Sequence, residues 1–362
     1  MTTDAVTRPR SLSAWRTQWP EWAGYLTAAW SLAYGLLGLF WALGGPGFPF
    51  GHGHDAAAIE SILANVQVRS AAPVIAGLGI GGALIALVMV RAWGRGALRT
   101  GLLAFAWALA LALLVIIPDR RVLLAVAYVP VFIIGAPFHY PPVSFFAAIP
   151  WPVINQAILI IGGVAWAATA LAYQRVTAGA CAHCGRTDQQ AGWMTPPAVA
   201  RWGWWAVAVA IACPVLYAVP RYAWALGIPL GISEGFLREG QRTNLWIAGA
   251  GLATVAVGGA ILTLGLAQKW GEVFPRWMLG LAGKRVPPAL AIVPALLIAD
   301  FVTSAGLEEI RALGLASEIP IEVTWTTLGP TLLWPLWGAA LAVATYAYYL
   351  RRRGQCAFCG RG

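Results

Sequence analysis

Along this chain, long apolar blocks alternate with short segments that collect the charges, prolines and many of the tryptophans. The blocks lie near residues 23–44, 73–92, 100–117, 153–174, 204–227, 246–267, 287–303 and 329–350. A helix crossing the hydrocarbon core needs about 20 predominantly apolar residues, so the pattern predicts an all-α, polytopic membrane protein with about eight transmembrane helices. A further apolar run, 122–137, is interrupted by Pro130. It is short for a crossing and is expected to re-enter the membrane or lie at its surface.

Composition agrees with that pattern. Hydrophobic residues make up 59% and charged residues 10% of 362 positions, against roughly 45–50% and about 25% in soluble domains. So few charges cannot cover a water-soluble fold of this length. Many of the 20 tryptophans, among them Trp19, Trp22, Trp93, Trp151, Trp202, Trp205, Trp270 and Trp277, flank the blocks where headgroups would lie. Residues 1–22 are polar, carry Arg8, Arg10 and Arg16, and lack the short apolar core of a secretory signal, so the first block is expected to be a true span.

The net charge of +10 does not point to nucleic acid, because the basic residues are spread between apolar blocks and form no stripe. They serve instead as topology signals. With both termini inside, the cytoplasmic segments hold 17 of the 24 basic residues, and most acidic residues fall outside. The excess of Lys and Arg predicts this orientation in a cytoplasmic membrane. Asp119-Arg120-Arg121 breaks the pattern, since it places two arginines in an outer segment.

Two halves of the chain repeat one another. Trp19, Trp22, Tyr34, Trp41, Gly44 and Pro46 recur at an offset of 183 as Trp202, Trp205, Tyr217, Trp224, Gly227 and Pro229. Gly81, Gly82, Trp93 and Gly94 recur 177 residues on as Gly258, Gly259, Trp270 and Gly271, and Cys181, Cys184, Gly185 and Arg186 recur 175 on as Cys356, Cys359, Gly360 and Arg361. The expected organisation is a cytoplasmic segment 1–22, a four-helix repeat 23–186, a linker 187–203 and a second repeat 204–362. Four crossings return the chain to its starting side, so the repeats would be parallel, as in some transporters. Gly77, Gly81, Gly82, Gly258 and Gly259 are expected to bring helices close together.

Each repeat ends in a Cys-x-x-Cys-Gly-Arg knuckle, Cys181-Ala182-His183-Cys184-Gly185-Arg186 and Cys356-Ala357-Phe358-Cys359-Gly360-Arg361. Paired thiols two residues apart, followed by a glycine able to turn, are half-sites of a tetrahedral four-cysteine zinc centre. Cys181, Cys184, Cys356 and Cys359 are therefore the candidate ligands of a structural Zn²⁺ joining the halves. A redox dithiol and a metal-free remnant are the alternatives. His183 is a weaker substitute ligand, and Cys213, inside the fifth block, reads as a small buried apolar residue.

Ionisable groups within apolar blocks are functional candidates. Arg221 and Asp300 qualify, either as a buried pair or, for Arg221, as a contact for an anionic substrate; the plainer alternative sends both to the outer headgroups. In the first outer loop, His52, His54 and Asp55 form a weaker metal-binding candidate, and His139-Tyr140-Pro141-Pro142 is a candidate vestibule lining. No phosphate-binding glycine loop, nucleophile–base pair or soluble catalytic domain is evident.

The Trp-Gly loop Trp270-Gly271-Glu272-Val273-Phe274-Pro275-Arg276-Trp277 and the Cys-x-x-Cys-Gly-Arg ends resemble a group of uncharacterised polytopic membrane proteins from actinobacteria. The resemblance spans nearly the whole chain and implies architecture without an activity. Three functions stay open: a permease or channel-like carrier of a small solute, a zinc-stapled membrane partner or regulator that holds another membrane or cytoplasmic protein, and a membrane enzyme acting on a lipid or redox substrate. The lipid bilayer is the partner common to all three.

Overall fold

The computed structural model describes residues 18–126, 137, 149–188, 192–278, 280–315 and 325–361. The expected vestibule residues 139–142 and most of the run 122–137 lie outside them. The first half holds α1 (Trp19–Ala42), α2 (Val68–Val90), α3 (Gly96–Leu111) and α4 (Trp151–Thr177). A π-helical turn, Ala112–Ile116, continues α3. The second half holds α5 (Pro196–Ala225), α6 (Glu234–Arg242), α7 (Leu245–Leu264), α8 (Pro288–Leu315), α9 (Gly329–Leu332) and α10 (Trp334–Arg352).

Local chemistry sets many of these ends. α1, α4, α5, α9 and α10 each carry a proline in the first two helical positions, where its missing N–H would have had no partner and its fixed φ suits the helix. α1 and α5 stop at matching glycines, Gly44 and Gly227, whose φ values of +92° and +83° end the helix in the left-handed region. In each, the glycine N–H reaches back to the carbonyl of Trp41 or Trp224 at 3.0 Å.

Among the described residues, seven helices are long and apolar enough to cross a membrane: α1, α2, α3 with its π turn, α4, α5, α7 and α8. Their outward side chains match a lipid solvent; on α7, Ile247, Val255 and Leu262 are each about two thirds exposed or more. The block expected at 329–350 is divided, with α9 and α10 meeting at Leu333. α10 has 19 residues, but its tryptophans, its tyrosines and the terminal Arg351-Arg352 make it less apolar than the other seven. The block expected at 287–303 extends to Leu315, because Glu308, Glu309 and Arg311 are good helix formers and continue the helix past the apolar stretch.

Packing follows the same scheme in each half. α1 packs on α2 and α4, and α4 on α3; α5 packs on α7 and α10, and α10 on α8. Small residues let the α1–α2 pair approach closely. A Cβ on Gly79 would lie 2.4 Å from the Cα of Gly35, and one on Gly38 would lie 2.7 Å from the amide of Ala76. This corrects the glycines expected from the repeat: Gly77, Gly81, Gly258 and Gly259 face open space, and of that set only Gly82 is tight, against the Trp166 ring at 3.1 Å. At about 100° per residue, Gly77 and Gly81 stand some 200° round the helix from Gly79.

The halves meet along α3 and α8. The π turn lies against α8, Val122 and Ile160 pack on Phe301, and the Ser304 hydroxyl lies 3.5 Å from the carbonyl of Leu114. Beyond this seam the Arg120 amide donates to Glu308 at 2.8 Å, and its guanidinium pairs with Glu308 and Glu309 at 3.6 Å.

Candidate metal centre

α4 and α10 end on one face of the molecule, and each delivers a knuckle. In the first, the Gly185 amide donates to the Cys181 carbonyl at 2.7 Å and the Cys181 amide to the Arg186 carbonyl at 3.0 Å; in the second, Gly360 to Cys356 measures 2.8 Å and Cys356 to Arg361 measures 2.9 Å. Gly185 and Gly360 carry the turn at φ of +73° and +69°, a region that side-chain-bearing residues avoid. A Cβ on Gly185 would also meet Nε of Arg175 at 2.9 Å. Arg175 itself reaches from the last turn of α4 to donate to the carbonyls of Ala182 and His183.

The four sulfurs converge. Sγ of Cys181 lies 3.9 Å from Sγ of Cys356, Sγ of Cys184 lies 3.6 Å from Sγ of Cys359, and all four fall within 4.8 Å of one another. A disulfide would need about 2.05 Å. A tetrahedral ion with metal–sulfur bonds of about 2.3 Å gives edges of about 3.8 Å, so the spacing fits one metal ion. The knuckle backbones also shift the thiols. Burial raises the Cys356 thiol, but amides of Cys359 and Phe358 more than offset this and hold it down to about 7; amides of Cys184 and His183 likewise hold Cys181 below its usual range. Cys184 moves the other way, up to about 11, through burial and the neighbouring sulfurs.

The remaining contacts bind knuckle to knuckle. Arg186 donates to the carbonyls of Arg361 at 2.6 Å and Gly354 at 2.9 Å, Arg361 donates back to the carbonyl of Arg186 at 3.1 Å, and Arg353 reaches the carbonyl of Cys184 at 3.4 Å. His183 stacks on Phe358 with ring centroids 3.5 Å apart. The centre therefore has four sulfur donors without His183.

The other candidates are dispersed. Among the described residues Arg221 and Asp300 form no ion pair, so of the alternatives for these two residues the buried pair is not the one seen. Arg221 donates to the carbonyls of Thr326 and Thr327 at 2.9 and 3.3 Å and lies 4.3 Å over the Tyr217 ring and 4.9 Å over Trp224. Asp300 stands in mid-helix on α8 with its buried Oδ2 unbonded. Cys213 is buried in the core of the second half.

His52, His54 and Asp55 form no metal-sized group among the described residues. Asp55 is committed elsewhere: both its oxygens accept from Nη1 of Arg121 at 2.9 Å, while His54 packs edge-on against Phe48. Asp119 accepts from Nε and Nη2 of the same guanidinium at 3.0 and 2.7 Å and from Nε2 of Gln156 at 2.6 Å. Burial opposes the charge on Arg121, but Asp119 and Asp55 more than offset it and hold its pKa above the usual range. This buried triad was not foreseen from sequence. Its signal was the misfit of Asp119-Arg120-Arg121 with the topology charges.

The helices and the cysteine cluster define an all-helical, membrane-compatible protein with a candidate four-sulfur metal centre. No protein-family model, curated protein or solved structure matches the chain.

Proposed function

We propose that this is a multi-pass membrane protein made of two parallel four-helix repeats, stapled on the cytoplasmic side by one structural Zn²⁺ on Cys181, Cys184, Cys356 and Cys359. The observation that carries the proposal is the convergence of the four sulfurs at the edge lengths of a tetrahedral site. Four sulfurs and no open position are the donor set of a structural zinc, whereas catalytic zinc keeps one position free. The metal would supply a closed, redox-inert cross-link between chain segments far apart in sequence.

Parallel repeats are supported by self-pairing. Cys181 with Cys356, Cys184 with Cys359, His183 with Phe358 and Arg186 with Arg361 each join a residue to its own equivalent 175 positions on. Pairing of equivalents is the property of a local two-fold axis. Both clefts beside the inner helix ends also correspond: Met89, Val90, Thr169 and Ala172 line one, and Leu266, Ala267, Ala344 and Ala347 line the other. Because the knuckles share one face, the chain between them crosses an even number of times. α5, α7 and α8 supply three crossings, and α10 is the fourth, which brings the total to eight.

A platform for another protein, organised by the metal, fits this arrangement better than a solute carrier. A solute carrier would draw on the parallel duplication and on the polarity of Arg221 and Asp300, but Arg221 is occupied in pinning residues 326 and 327. The deciding experiment is metal analysis of purified protein. One zinc per chain is expected, absent from both Cys181→Ser/Cys184→Ser and Cys356→Ser/Cys359→Ser. Iron in place of zinc, or no metal in a fully reduced, folded protein, would overturn the assignment.

A further inference from the structure

The link between α7 and α8, residues 265–287, has 23 positions, whereas its counterpart between α2 and α3, residues 91–95, has five. The extra chain folds back as a tongue. Val273 bridges Arg285, the Phe274 amide donates to Lys284 and the Gly283 amide to Phe274 at 3.0 Å each, and the Val286 amide donates to Glu272 at 2.9 Å. Its base is fixed to the end of α10: Arg352 donates to the Val286 carbonyl at 2.7 Å and pairs with Glu272 at 4.0 Å, and the Tyr348 hydroxyl donates to the Gly271 carbonyl at 2.7 Å. The tongue thus lies on the face that carries the cysteine centre, four residues along the chain from Arg352.

Its outer surface joins an aromatic ring to positive charge. Trp277 is 77% exposed and Leu281 is 40% exposed, and Lys269, Arg276, Lys284 and Arg285 are all exposed. The one acidic residue, Glu272, is engaged by Arg352. An exposed tryptophan beside four cations suits a membrane surface, because indole rings favour the headgroup layer and each basic residue near an anionic leaflet adds attraction. Both ends of the tongue enter helices long and apolar enough to span, so the bilayer surface is its immediate neighbour.

We propose that residues 269–278 and 280–285 form a docking tongue for anionic phospholipid headgroups on the cysteine side of the membrane. The inference depends on α7 and α8 crossing the membrane and not on the metal. The test compares full-length protein in nanodiscs of phosphatidylcholine alone and of a mixture rich in phosphatidylglycerol, by hydrogen exchange over 272–286. Exchange should slow at least about tenfold in the anionic discs, an effect within reach of four basic contacts, and the difference should fade in high salt. Replacing Lys269, Arg276, Lys284 and Arg285 with Gln should abolish the difference, while unchanged hydrogen exchange in α7, α8 and α10 shows that the fold persists. Equal exchange in both discs, or lipid-dependent protection that survives the four substitutions, would overturn the proposal.

Discussion

Replacing Arg121 with Met tests whether the first half depends on its buried ion triad. The guanidinium makes four side-chain contacts of 2.7–3.0 Å to two carboxylates, and the side chains of Arg121, Asp55 and Asp119 are 10%, 5% and 2% exposed. Removing the cation leaves Asp119 with the Gln156 amide and Asp55 with the Ala57 amide as their remaining partners, together with main-chain donation from Arg121 itself. An uncompensated buried charge of this kind costs about 3–5 kcal/mol, several times the 0–1 kcal/mol typical of an exposed pair. The assay is reversible unfolding by denaturant in detergent micelles. The triple variant Arg121→Met, Asp55→Asn, Asp119→Asn removes all three charges together, and should recover most of the loss because a neutralised triad carries no desolvation penalty for ions. A loss below about 1 kcal/mol for the single variant, or a triple variant as unstable as the single one, would refute this account.

Further outcomes follow from the same contacts. Gly79→Val should destabilise the α1–α2 pair by about 1–3 kcal/mol or more through overpacking, while Gly77→Val, facing open space, should leave the unfolding midpoint nearly unchanged. Arg221→Met should cost about 1.5–3 kcal/mol, the range for hydrogen bonds from a charged group, and should speed hydrogen exchange at residues 325–328; a change confined to solute uptake, with exchange unaltered, would restore a substrate role. A reporter fused after Gly362 should be active only as a cytoplasmic fusion, and activity on the other side would reverse the orientation read from the basic residues.

Much of the architecture was legible in the sequence, because hydrocarbon thickness imposes a minimum apolar length that any spanning helix must meet. The seven strongest apolar blocks correspond to the seven membrane-compatible helices, and the cysteine spacing identified the four sulfurs that the structure brings together. The knuckle needs only local turn chemistry, Cys-x-x-Cys followed by a glycine at positive φ, and local chemistry is written in neighbouring residues. Tertiary structure decided the rest. Whether Asp55 meets a metal or Arg121, whether Arg221 meets Asp300 or the carbonyls of Thr326 and Thr327, and whether Gly77 or Gly79 faces a neighbouring helix all depend on where distant segments come to rest. Composition records that a polar or small residue is present; only packing determines which partner completes its hydrogen bonds or fills the space beside it.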